Sequence, residues 1–316
     1  MTARPWGTIG VLMGGYSSER EISLRSGQGV ARALADAGHT VKPIDITEED
    51  STKIAHTIQS AGIDVAFIAL HGRLGEDGVI QNILEGLNIP YTGSGVKASQ
   101  MAYNKILAQK AFKAAGLPVP EHYLITDGKN VDFKTVWAHL RSTPVVIKPA
   151  CEGSSFGVHV VRHPAEWEPA LKDAFSYGPQ VIVEQFIKGR ELTAGILGQE
   201  PLPLVEICLK ANFFNFTAKY QKGLTQYICP ADITESLAKK IQALALRAYQ
   251  TLGCEGFSRV DLRLDDDNRP YILEINTIPG FTETSLLPKA AQVAGKSFTQ
   301  ICEGLIDLAY GKKNKH

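Results

Sequence analysis

The chain carries no net charge, with 33 Lys and Arg against 33 Asp and Glu over 316 residues. A dedicated nucleic-acid binder would be basic, so the balance speaks against that class and leaves small molecules as the expected partners. No apolar run approaches the ~18 residues that span a bilayer. The opening MTARPWGTIGVLMGG has no long apolar stretch after its charge, so no secretory signal peptide is expected. The five cysteines are scattered, odd in number and form no C-x-x-C. Reduced thiols in a cytoplasmic protein are expected, not a disulfide framework. There is no internal repeat. What remains is a globular composition, 44% hydrophobic and 21% charged. That excludes a disordered chain, and the length suits two or three domains.

Two common nucleotide motifs are also missing. A dinucleotide site needs G-x-G-x-x-G after its first strand, and the first strand here runs into GGYSSER. A P-loop needs G-x-x-x-x-G-K-[ST]. Gly295-Lys296-Ser297 matches only its end, with Ala290 in the first glycine position and no strand before it.

What is present begins with alternating strand and helix. Strands are predicted over 8–13, 41–46 and 65–70, the last apolar throughout as in a sheet covered on both faces. Ser18-x-x-Glu21 predicts a capping box. It opens a helix with Ile22, Val30, Ala33, Leu34 and Ala37 at helical spacing, and Gly38 is placed to stop it. A short helix near 79–87 completes an open α/β unit. In such units ligands bind beyond the carboxyl ends of the strands, where Gly14-Gly15 and His71-Gly72 lie. YTGSG at 91–95 reads as a hinge, followed by one helix over 97–115. A strand-rich region follows, with PVVIKPA, a Gly/Ser loop at 151–157 and QVIVEQFI. Two more strands, ELTAGILG and LPLVEICL, precede a polar, aromatic loop at 211–229. Asp232-x-x-Glu235 predicts the cap of a long helix. FSRVDLRL and YILEIN flank DDDN and read as a hairpin. A last helix is expected over 298–310.

One constellation carries chemistry. Lys148 ends an apolar strand and precedes Gly153, Ser154 and Ser155. Glu184 ends another, with Glu191 seven residues on. On the hairpin, Glu274 and Asn276 share a face, and Arg259 and Asp261 share the face of the neighbouring strand. Hard oxygen ligands on rigid strands suit Mg²⁺, which keeps positions for phosphate. An exposed charged hairpin face is the plainer alternative. R-x-D opposite E-x-N before a Pro-Gly loop is narrower than that alternative, and we favour the metal site.

These motifs, taken in order along nearly the whole chain, resemble the ATP-grasp superfamily and within it the D-alanine–D-alanine ligase family. GGYSSEREISLRSG, ALHGRLGEDG, YTGSG, VVIKPACEGSSFGV, AKY…TQYICPA, GCEGFSRVDL and LEINTIPGFTETSLLP carry the resemblance. It implies a mixed α/β and α+β chain with the ATP-grasp fold. Its parts would be an open Rossmann-like domain at 1–96, a small lobe at 97–187 and a catalytic domain at 188–316. It implies joining of two D-alanines with ATP in the cytoplasm, through an acyl phosphate, for peptidoglycan precursors.

The site residues follow by the same resemblance. Lys105 and Lys148 would touch the α- and β-phosphates, with the Ser155 loop closing over phosphate. Glu184 would hold the adenine amino group, Ile187 the adenine edge through its backbone, and Glu191 the ribose. Asp261, Glu274 and Asn276 would hold two Mg²⁺ ions, for which Mn²⁺ substitutes. Arg259 and the Gly280 N–H would stabilise the tetrahedral intermediate. Glu19 would bind the first ammonium, although a favourable helix-dipole charge explains it equally well on the residues alone. Ser154 and Tyr220 would complete a triad with Glu19, and Lys219 would reach the γ-phosphate. Ser285 and the Leu286 backbone would bind the second carboxylate, and His71 would line the substrate pocket. The 211–229 loop would close as a lid.

Tyr220 favours an amine over a hydroxyl nucleophile, since the related D-alanine–D-lactate ligases lack it. The chain departs from the family at Asn215 and Thr217, where acidic residues are common. Phe156 and Phe281 also stand where smaller and Met residues are usual. A homodimer is among the implied partners, and nucleic acid and membrane are not. Three other readings compete: a different ATP-grasp carboxylate–amine ligase, a regulatory protein that kept only the fold, and a Rossmann oxidoreductase. The last fails on its missing glycines.

Overall fold

The computed structural model describes residues 6–126, 131–141, 144–209 and 225–313. Three sheets organise these residues. In the first, β1 (Ile9–Gly14) lies between β2 (Val41–Ile46) and β3 (Val65–Ile68), all parallel. All of β1 and β3 is buried, which is why both read as unbroken apolar runs. Helices α1 (Arg20–Asp36), α2 (Ser51–Ala61) and α3 (Val79–Gly86) join them. Gly38 closes α1 as expected, at φ +90 with its N–H on Ala35 O at 2.9 Å. The predicted capping box does not form. The helix starts at Arg20, with Glu19 as an N-cap that makes no side-chain cap bond. The box's glutamate position therefore falls on Ile22, and Ser17 Oγ accepts from the Glu19 N–H at 3.2 Å instead.

The single helix expected over 97–115 is two: α4 (Val96–Tyr103) and α5 (Lys105–Ala114). Asn104 breaks it with an extended backbone, and its side chain accepts from the N–H of Ile106 at 3.1 Å and of Leu107 at 3.2 Å. An Asn side chain competes with the helix for backbone donors and then caps the next one. Lys105 thus stands at the start of a helix, not midway along one.

The second sheet is antiparallel, in the order β4 (His122–Thr126), β7 (Gln180–Gln185), β5 (Val145–Pro149), β6 (His159–Val161). Helices α6 (Phe133–Leu140) and α7 (Trp167–Phe175) cover it, with Ile125, Val136, Trp167 and Val183 in a shared core. At 8 and 9 residues, both helices are too short to show a clear 3.6 period.

The third sheet runs β11 (Thr225–Ile228), β10 (Val205–Leu209), β8 (Gly189–Leu197), β12 (Phe257–Asp265), β13 (Pro270–Asn276), with β9 (Glu200–Pro201) beside β8. Helix α8 (Glu235–Thr251) packs against it through Ile241, Ala245 and Ala248. Its cap is Thr234, which accepts from the Leu237 N–H at 3.4 Å, not the predicted Asp232 two residues earlier. The hairpin forms as predicted. Asp265 Oδ1 accepts from the N–H of Asp267 and Arg269, and Asn268 takes φ +60. Register pairs Arg259 with Asn276 and Asp261 with Glu274, and a bulge follows directly.

Two exchanges between units set the site. Ala98, Ala108 and Phe112 of α4 and α5 pack with Leu192, Val260 and Ile275 of the third sheet. Helices α9 (Leu286–Val293) and α10 (Phe298–Lys313) return to the first sheet, where Ile301 and Leu305 join the core of Val11 and Phe67. Trp6 Nε1 donates to Asp307 Oδ1 at 3.1 Å, and His39 meets Glu303 at 2.8 Å. Phe281, fully buried, meets Phe67 and Phe298 at tilted angles and Phe257 edge-on. This ties the loop after β13 to the ends of β3 and β12.

Candidate active site

The hairpin bears the densest set of charges. Arg259 grips Asp261 with two bonds of 2.8 Å, Nε to Oδ1 and Nη2 to Oδ2. Both residues lie on β12 two apart, so strand geometry puts them on one face. Asn276 Nδ2 donates to Asp261 Oδ2 at 3.0 Å from the paired strand. Thr193 Oγ1 donates to Oδ1 at 2.7 Å from β8. Thr193 has no sequence signal of its own; the register of β8 with β12 brings it opposite Asp261. Arg259 and Asp261 are 21% and 13% exposed. Ion pairs so enclosed add little net stability, so the gain here is fixed position.

Lys105 meets Glu274 at 3.2 Å. Its N–H donates to Ala150 O at 2.9 Å and its ammonium to Glu152 O, so the start of α5 is stitched to the loop after β5. Burial opposes the Lys105 charge, and Glu274 more than restores it, holding the ammonium above its usual range. Lys148, at the end of β5, pairs with Glu184 of β7 at 2.7 Å, and both are buried. Glu191 of β8 lies 3.7 Å from Arg263. Arg263 also donates to Ile187 O at 3.1 Å and Gly189 O at 2.8 Å and lies over the Phe186 ring. Arg263 escapes sequence reading because only the fold wraps it around the 186–189 segment.

A second cluster faces this one. The Ser154 hydroxyl donates to Glu19 Oε1. A Cβ on Gly72 or Gly153 would lie 2.9 Å from Glu19 Oε2, so the carboxylate sits close against two glycine backbones. Ser154 and Ser155 take φ +50 and +61, a conformation that L residues adopt at a cost. The Phe156 ring meets Tyr177 at 6.2 Å. His71 is 3% exposed, with Nε2 on Ser26 Oγ at 3.0 Å and Nδ1 on Ile278 O at 2.9 Å. Burial holds its imidazole below the usual value, against the pull of Glu19. The Phe281 N–H donates to Ser26 Oγ at 3.2 Å, so Ser26 joins His71 to the Pro-Gly loop. Glu76, at the other end of the same motif, accepts from the Gly72 N–H at 2.9 Å. Burial and the nearby Glu19 charge push it up to about 8. Arg259 and Glu274 also act on that carboxyl, which links the two clusters electrically.

Ser285 caps α9 in position but not by a side-chain bond. Its Oγ accepts from the Thr282 N–H at 3.0 Å. A Cβ on Gly280 would lie 3.4 Å from that oxygen, so Gly280, Ser285 and Leu286, the first residue of α9, form one corner. The backbone N–H groups at such a helix start have no partners within the helix. Lys219 and Tyr220, with Asn215 and Thr217, lie outside the described residues.

Among the described residues no group of three or more His, Cys, Asp or Glu could hold a metal by itself. Asp261 and Glu274 add two carboxylates, and Asn276, having turned its N–H to Asp261, adds an amide carbonyl. This all-oxygen set fits Mg²⁺ of the kind completed by substrate phosphates and water.

Comparison with known proteins gives the family. The family model of the D-ala D-ala ligase C-terminus matches residues 111–307, and that of the N-terminus matches 8–57 and 48–94. The chain is 48% identical over 305 residues to a D-alanine–D-alanine ligase of Desulforudis audaxviator, covering 95% of this chain and 98% of that one. It is 46% identical to that of Geotalea uraniireducens, covering 95% of each. Among solved structures it resembles the Bacillus anthracis D-alanine–D-alanine ligase complexed with ATP, with TM-score 0.85, 30% identity and coverage of 98% and 99%. It also resembles the VanG D-Ala:D-Ser ligase of Enterococcus faecalis, with TM-score 0.81, 31% identity and coverage of 96% and 99%. With the two family models matched over residues 8–94 and 111–307 and relatives near half identity, the chain belongs to the D-alanine–D-alanine ligase family.

Proposed function

We propose that this chain joins two D-alanines with ATP, through an acyl phosphate, to supply D-alanyl-D-alanine for peptidoglycan. The observation that carries this is the Arg259–Asp261–Asn276 lattice beside Glu274, facing the Glu19–Ser154 pair. It combines a phosphate-and-metal set with an ammonium acceptor.

In the first step a D-alanine carboxylate attacks the γ-phosphate and ADP leaves. In the second, the amine of the other D-alanine attacks the acyl carbon and phosphate leaves. Both steps crowd negative charge, so positioning and fixed donors supply the catalysis. Lys105 and Lys148 bind phosphate oxygens, and the loop at Ser155 closes over them. Glu184, Ile187 and Glu191 hold the base and ribose. Asp261, Glu274 and Asn276 hold Mg²⁺, two ions with Mn²⁺ as a substitute, which neutralise phosphate charge when bound. Arg259 and the Gly280 N–H receive the developing oxyanion. Glu19 takes the first ammonium, tied by Ser154 and Tyr220, while Lys219 reaches the γ-phosphate. Neutral His71 lines the pocket, and Ser285 with the Leu286 N–H takes the second carboxylate.

The three working units are 1–96, 97–187 and 188–316, with the site where they meet. Five free cysteines suit a reducing cytoplasm. Among the described residues no helix is long and apolar enough to cross a membrane. Homodimer formation completes the reading.

Because a structural neighbour is named a D-Ala:D-Ser ligase, the test must vary the acceptor. Phosphate release is measured with ATP, Mg²⁺ and D-alanine, against L-alanine, D-serine, D-lactate and no acceptor. Release that depends on D-alanine is expected. Equal release without it overturns the proposal.

A further inference from the structure

One turn beyond Lys105, α5 sends a second side chain to the small sheet. Gln109, Glu184 and Lys148 are 0%, 2% and 6% exposed. The Gln109 amide donates to Glu184 Oε1, while Lys148 Nζ takes Glu184 Oε2 at 2.7 Å. Among the described residues the Gln109 carbonyl oxygen, also buried, meets no donor. An amide buried with one end unmatched opposes folding, so its use lies at the end that is matched.

We infer that Gln109 is a positioning residue for Lys148: it occupies one oxygen of Glu184, so that the ammonium is held at the other oxygen alone. The inference rests on the assignment of Lys148 to a nucleotide phosphate. An ammonium has three N–H donors and a carboxylate has two oxygens. Beside a carboxylate with both oxygens open, in a site this dry, the ammonium settles between them and two donors are used up. With Gln109 on Oε1, Lys148 gives one donor to Oε2 and keeps two for an anion.

Gln109 also spans two cores. Its helix neighbours Ala108 and Phe112 pack with the third sheet, while Glu184 belongs to the second. It therefore sets the separation of Lys105 and Lys148, the two cations assigned to one polyphosphate.

Gln109→Met keeps length and bulk but removes the donor. Titration calorimetry is expected to show ATP binding weakened about ten-fold. The KM for D-alanine and kcat at saturating ATP are expected to stay within about two-fold. Gln109→Asn, which withdraws the amide by one methylene, is expected to do the same and guards against a folding defect peculiar to Met. In a Glu184→Gln background, where the carboxylate that Gln109 occupies is gone, Gln109→Met is expected to add less than about two-fold. Unchanged ATP affinity in both variants, or an equal penalty in both backgrounds, overturns the inference. If Lys148→Met leaves ATP affinity unchanged, the phosphate assignment itself fails and takes the inference with it.

Discussion

Ser154 donates its hydroxyl to the Glu19 carboxylate across 135 positions of the chain. The bond joins the first sheet's strand-end loop to the Gly/Ser loop after β5. Ser154 and its neighbour Ser155 take left-handed backbone that neither residue prefers. A loop kept in such a conformation depends on its surroundings, and that dependence can be tested.

The first prediction concerns the floor of that loop. Gly157 takes φ +64, and a Cβ there would lie 2.8 Å from Pro149 Cγ and from the Tyr177 ring. Gly157→Ala is expected to cost about 1–2 kcal/mol from the backbone alone, and to weaken ATP binding as the loop shifts. Thermal melting and calorimetry measure the two effects. Wild-type ATP affinity would show that the loop does not contact phosphate.

Arg259→Ala is expected to lower turnover by ~10²–10³ while ATP still binds, as for loss of one preorganised donor. Arg259→Lys is expected to recover little, since a lysine cannot make the two-point grip on Asp261. A coupled ADP-release assay decides, and near-normal turnover in either variant would refute the role.

Asn104 sets where α5 begins. Asn104→Ala is expected to cost about 1 kcal/mol, the usual loss for a cap, and to weaken ATP binding by loosening Lys105. Asn104→Asp retains the acceptor and is expected to restore both. Full affinity in the alanine variant would mean that Lys105 is placed by Glu152 and Glu274 alone.

Glu76 gives a pH dependence with a definite sign. Its carboxyl is raised from the ordinary 4.5 to about 8 in the folded chain, by burial and by Glu19. Below 4.5 both folded and unfolded chains hold the proton. Between 4.5 and 8 only the folded chain does. The folded state therefore loses stability relative to the unfolded as pH rises through that window. Glu76→Gln removes this contribution, so its melting temperature is expected to fall less than wild type between about pH 5 and pH 8. Parallel curves would contradict the assignment.

The hairpin shows what sequence can reveal. R-x-D and E-x-N lie in local strands and period two fixes their faces, so Arg259, Asp261, Glu274 and Asn276 are legible in one dimension; their exact pairing is not, because a bulge after Asp261 shifts the register that the DDDN turn sets. Glu19 is not: on its residues alone it is as well explained by the helix dipole, and only the fold brings Ser154 to it. Thr193 and Arg263 come beside Asp261 and Ile187 through pairings of strands and segments far apart in the chain, which leave no local pattern. The two misplaced caps and the split helix share one cause. Asn104 and Thr234 each offered the backbone a side-chain acceptor at the helix start that the pattern overlooked, and at α1 Ser17 took the Glu19 N–H outside the helix.

The return of α10 to the first sheet bears on how the chain is made. A ribosome delivers β1, β2 and β3 early, yet Ile301, Leu305 and Ile306 complete the core around them. During synthesis that sheet waits with an apolar face uncovered until the last helix emerges. Nascent chains halted before residue 298 are therefore the ones that need a chaperone's shelter.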